Sequence, residues 1–70
     1  MRKTKEVRRI SKWANKNYPE YQYQYALKLI NGDGTQTNRS LGIYFMTASA
    51  YNSYPQAIEY LDKNPIDFNK

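Results

Sequence analysis

The sequence predicts an α+β domain in the order α-β-β-(β)-α, with two helices packed on one face of an antiparallel hairpin or sheet. Three observations predict it. Charged and apolar residues segregate with a helical period before residue 17, apolar residues alternate with a period of two from Tyr21, and Ser53-Tyr54-Pro55-Gln56 spells a helix start. The 70 residues make one small domain spanning 1–70. A chain of this length buries only about 60% of its unfolded surface, so each element needs its neighbours.

The first element is an amphipathic helix from about residue 4 to 16. On a wheel of about 100° per residue with Val7 at zero, Arg8, Lys12, Lys5, Lys16, Arg9 and Arg2 fall between about 100° and about 220°. Val7, Ile10, Trp13 and Ala14 fill the arc from about 240° round to zero, interrupted only by Lys3 and Glu6. Thr4 suits the N-cap, because its hydroxyl can accept from a free amide of the first turn. Asn15, Asn17 and the Tyr18-Pro19 pair close the helix, since a residue before proline is pushed out of the helical region.

Two strands are expected next, at about 21–30 and 35–46. Tyr21, Tyr23, Tyr25, Leu27 and Leu29 point one way, and Gln22, Gln24, Ala26 and Lys28 the other. Asn31-Gly32-Asp33-Gly34 tolerates positive φ and predicts a tight hairpin turn. In the return strand Leu41, Ile43 and Phe45 alternate with Gly42, Tyr44 and Met46, while residues 35 to 40 carry no apolar side chain. Residues 47 to 52 fit a third strand or a loop.

The last helix is expected at about 54–63. Ser53 and Gln56 stand at capping-box spacing, and Pro55 falls in the first turn, where a missing amide costs nothing. Tyr54, Ala57, Ile58 and Leu61 form its inner face, and Asn64-Pro65 ends it. Ile66 and Phe68 are spaced to touch the core again.

Composition narrows the chemistry. The chain has neither histidine nor cysteine, which removes nucleophilic triads, cysteine chemistry, disulfides and the usual zinc ligands. Its acids are scattered, and Gly32-Asp33-Gly34 matches neither a phosphate-cradling nor a calcium loop. The expectation is a protein that is not an enzyme and holds no cofactor or metal. Without an apolar run of about 20 residues or a signal-peptide core, the chain is expected in the cytoplasm and not in a membrane.

Charge supplies the functional expectation. Residues 1–16 hold seven cations and one acid, a net of +6, while residues 17–70 hold four cations and five acids, a net of −1. Lys5–Arg9, Arg8–Lys12 and Lys12–Lys16 are like pairs at i, i+4, each repelling by a few tenths of a kcal/mol. A solvated face normally mixes signs. This one gains most from a polyanion.

The expected partner is therefore nucleic acid, DNA ahead of RNA, with Lys5, Arg8, Arg9, Lys12 and Lys16 on phosphates. Lys28, Arg39 and the polar hairpin arm would extend the contact, with residues 35 to 39 as base readers of a ribbon in the major groove. Such a hairpin is similar to the strand-hairpin-helix arm-binding domains of integrases, from which the leading basic helix departs. Among the eight tyrosines, most are expected to fill the core with hydroxyls at its rim, and Tyr44 is the candidate for stacking, followed by Tyr51. Trp13 is expected to anchor the first helix. The alternative is a small regulator or inhibitor of the mobile-element type, docking on an acidic surface of a larger, nucleic-acid-processing enzyme.

Overall fold

A computed structural model describes residues 3–64, and within them the fold is all-helical. Four helices run in order: α1 (Lys5–Ala14), α2 (Pro19–Asn31), α3 (Arg39–Tyr51) and α4 (Pro55–Lys63). Packing follows chain order, α1 on α2, α2 on α3 and α3 on α4. The expected α+β architecture is overturned. No strand occurs among the described residues, neither at 21–30, nor at 35–46, nor at 47–52. The hairpin arm goes with them, and so does the likeness to arm-binding domains. Pro65, Ile66 and Phe68, like Arg2, lie outside the described residues.

The physical reason for the first misreading is the position of α2. Its buried residues are Gln22, Tyr25, Ala26 and Leu29, spaced i, i+3, i+4, i+7 as one helical face. Tyr21, Tyr23, Leu27 and Ile30 are half-buried around it, because α2 sits between α1 and α3 and needs apolar groups on two sides. A broad apolar arc of this kind contains an accidental period of two. Tyr18-Pro19 starts the helix as well as ending the one before. Tyr18 is extended (φ −82°, ψ 114°), and Pro19 occupies the first turn.

Asn31-Gly32-Asp33-Gly34 does hold positive φ, but as a helix terminus. Gly32 (φ 65°) is the left-handed C-cap, and its amide donates to the Lys28 carbonyl. Gly34 (φ 77°) then brings the chain beside the start of α1, where its carbonyl accepts from the Thr4 amide at 2.8 Å. A Cβ on Gly34 would lie 2.9 Å from both Thr4 Oγ1 and Val7 Cγ2. Gly34→Ala is thus expected to cost about 1–2 kcal/mol from the left-handed backbone alone, with the contact adding to it. A melting temperature equal to the parent's in a thermal scan would contradict this.

Helix α3 replaces the return strand. Gly42, Phe45, Met46 and Ser49 are buried at i, i+3, i+4, i+7, and Asn38 caps the start by accepting from the Leu41 amide at 3.1 Å. Gly42 lets α3 approach α2: a Cβ there would meet Ile30 Cγ1 at 2.7 Å and the Ala26 carbonyl oxygen at 3.1 Å.

The two helical turns at the same end of the fold share one device. Asn17 (φ 68°) precedes Tyr18-Pro19, and Ser53 (φ 67°) precedes Tyr54-Pro55. Amides 17 and 18 donate to carbonyls 14 and 13, and amides 53 and 54 donate to carbonyls 50 and 49. Ser53 is consequently not an N-cap. Tyr54 takes that place, no side chain caps the helix, and the expected capping box does not form. Ile58, expected inside, is 48% exposed, and Ala57 is the buried residue of α4.

Polar pairing locks the turns to the bundle. The buried Ser49 hydroxyl donates to the Pro19 carbonyl at 2.7 Å. The buried Gln22 amide accepts from Asn52 at 3.2 Å and donates to Asn17 Oδ1 at 3.4 Å. Both are satisfied, as buried polar groups must be.

Candidate nucleic-acid interface

Helix α1 forms where expected, two residues shorter at its C-terminal end. Thr4 caps it, its hydroxyl accepting from the Val7 amide at 3.2 Å. Val7, Ile10, Ser11 and Ala14 are buried, and Ser11 satisfies its hydroxyl by donating to the Arg8 carbonyl at 2.9 Å. That seating leaves Lys5, Arg8, Arg9, Lys12 and Lys16 exposed, the last in the turn just beyond the helix. None of these five forms an ion pair with an acid among the described residues, whose pairs involve only Lys28 and Lys63 as cations. Among the described residues no acid compensates the basic arc.

The other expected contacts are not part of that surface. Lys28 lies between α1 and the α2 terminus, paired with Asp33 at 3.0 Å and Glu6 at 3.1 Å. Hydrogen bonds that the Lys28 ammonium donates to Asp33 and then to Glu6 hold its pKa above the usual 10.5. A raised lysine pKa stabilises the fold fully below about 10.5, and that contribution disappears as pH climbs through the raised value. Two carboxylates within 3.1 Å offset the Lys28 charge, which leaves little of it for an anionic ligand. Lys12→Ala is expected to reduce the salt slope of nucleic-acid binding by about one unit, and Lys28→Ala to leave it unchanged. Equal reductions would show that Lys28 touches phosphate.

Arg39 opens α3 and lines a small cleft with Ile30, Ile43, Tyr60 and Leu61, which contains no residue of α1. Tyr44 is 63% exposed on the outer face of α3, its ring edge-on to Phe45 at 5.1 Å. Tyr44, Thr47, Ala48 and Tyr51 line an uncharged groove of about 780 Å³, with Asn17 also on its wall. So Tyr44 and Tyr51 share a surface, but one made by α3.

The aromatic groups beside the cations are different ones. Trp13 is half-buried, with ring contacts to Tyr18 (centroids 5.6 Å apart) and Tyr21 (6.2 Å) instead of to a sheet. Tyr18 and Tyr21 meet edge-on at 6.4 Å. The Lys16 ammonium stands over the indole at 4.9 Å, with that of Lys12 at 6.0 Å. Tyr18 is 50% exposed. Neither Tyr18 nor Tyr21 stands out in the sequence as a site residue, the first falling at a turn and the second in an apparent strand. Their spacing of three, read as the first turn of a helix beginning at Pro19, was the available signal.

Among the described residues, no helix is long and apolar enough to cross a membrane, and no three acids cluster to hold a metal ion. No family model matches the chain, and neither a curated protein nor a solved structure matches it.

Proposed function

We propose that the protein binds nucleic acid, DNA in preference to RNA, through phosphate contacts made by Lys5, Arg8, Arg9, Lys12 and Lys16, and that it catalyses no reaction. One observation carries this: four exposed cations on the outer face of one docked helix, and Lys16 in the turn just beyond it, have no acid paired to any of them among the described residues. A face that retains its own repulsion is neutralised by a polyanion, and each phosphate contact releases counterions. Five contacts give a slope of log K against log salt of about −4.5 on a duplex, or about −3.5 on a single strand. On duplex DNA this is a loss of about 500-fold between about 50 and 200 mM salt. Titration against random duplex DNA, single-stranded DNA, RNA and anionic vesicles at both salt concentrations tests the reading. Failure to bind any of the three nucleic acids at the lower salt would remove it.

The second reading is a regulator that docks on an acidic surface of a larger, nucleic-acid-processing enzyme. It is favoured by the exposed Tyr44 and Tyr51, since tyrosine is enriched at protein interfaces. On that reading the same titration fails, and the cations of α1 meet carboxylates instead of phosphates.

A further inference from the structure

We infer that Trp13, Tyr18 and Tyr21 form a platform for an unpaired base, so that the preferred ligand is a single-stranded nucleic acid. This rests on the reading of α1 as the phosphate-binding face and adds a second kind of contact to it. A basic helix alone binds any polyanion. What distinguishes this one is a cluster of three rings at its C-terminal end, with cations directly over one of them.

The geometry has three parts. Lys16 stands 4.9 Å from the indole centroid of Trp13, so that ring face is covered by a flexible ammonium and not by packed core. Tyr18 is half-exposed and meets Trp13 at an interplanar angle of 64°, which sets its ring as a wall beside the indole face. Tyr21 backs both rings from the first turn of α2. Its position is fixed because the turn between α1 and α2 is held by Asn17, Pro19 and the Ser49 hydroxyl.

An arriving base displaces the Lys16 ammonium from the ring, and the ammonium then meets a backbone phosphate of the same nucleotide. Exchanging a cation–π contact for a stacked base plus an ion pair makes the site selective for a base and a phosphate together. A paired duplex offers the phosphates but keeps its base faces stacked inside. The platform discriminates by strandedness and not by sequence, since every base has a π face.

The chain has one tryptophan, so its fluorescence reports on the platform directly. The probes are oligothymidylate about twelve nucleotides long and an abasic oligonucleotide of equal length and charge. Oligothymidylate is expected to quench Trp13 and to bind tighter, while the abasic strand binds without quenching. Tyr18→Ala, at a half-exposed ring, is expected to weaken oligothymidylate about 5- to 100-fold and to leave the abasic strand unaffected, with Tyr18→Phe restoring the parent affinity. Oligouridylate in parallel tells whether the base comes from DNA or RNA. Equal affinity for thymidylate and abasic strands without quenching overturns the platform and leaves the phosphate grip standing. No binding of either strand at low salt overturns both.

Discussion

The triple variant Lys5→Glu, Arg9→Glu, Lys12→Glu should lose nucleic-acid binding almost completely, on the order of a thousandfold at about 50 mM salt. Only Arg8 and Lys16 of the five cations remain, so the salt slope should shrink to about two fifths of the parent value. The loss should not come from unfolding. All three side chains are exposed, and none makes an ion pair among the described residues. Glutamate at 12 also converts the repulsive i, i+4 pair with Arg8 into an attractive one, worth about 0.2–0.5 kcal/mol. Circular dichroism should therefore show an intact helical protein. A folded triple variant that binds with parent affinity would place the interface elsewhere.

Gly42→Val should have the largest effect on stability, and its sign separates two folds. In a β-hairpin, valine for glycine at a strand position is favourable, because valine suits the pleated surface. In the helical bundle the new side chain is driven into Ile30 and the backbone carbonyl of Ala26, which cannot yield as a side-chain tip can. Overpacking costs about 1–3 kcal/mol, and the better helix propensity of valine over glycine returns only about 0.4 kcal/mol. In a domain of this size the net loss lowers the melting temperature by about 5–20 °C. A variant more stable than the parent would argue for the strand.

The helical bundle makes plain why some elements could be read from sequence and others could not. Helix α1 lies against one neighbour, so its apolar and charged residues segregate cleanly, and Thr4 supplies the cap that its position suggests. Helix α4 was also legible, through Pro55, although Ser53 proved to be a left-handed turn residue and not the cap. Helices α2 and α3 face neighbours on two sides. Their apolar arcs are wide, and tyrosine, isoleucine and phenylalanine at alternate positions imitate a strand. Local signals against that reading existed. Tyr54-Pro55 marks a helix start, and the identical dipeptide at 18–19 marks one as well as a stop. Asn38, three residues before Leu41, is a helix cap in plain sight.

The candidate site divides along the same line. The four cations of α1, and Lys16 just beyond it, follow from one legible helix, and all five are exposed. Lys28 and Arg39 were grouped with them through a hairpin that does not exist. In the bundle Lys28 is held by Asp33 and Glu6, and Arg39 lies by α4. Trp13's neighbours became visible only once the chain turned at Asn17 and began a second helix.

The most direct test of a nucleic-acid interface on α1 is backbone amide chemical-shift mapping of the whole chain during titration with a short oligonucleotide at low salt. Amides from Lys5 through Tyr21 should move together in proportion to saturation, while those of α4 stay in place. Shifts confined to α3 around Tyr44 and Tyr51, or no shifts at all, would contradict the account.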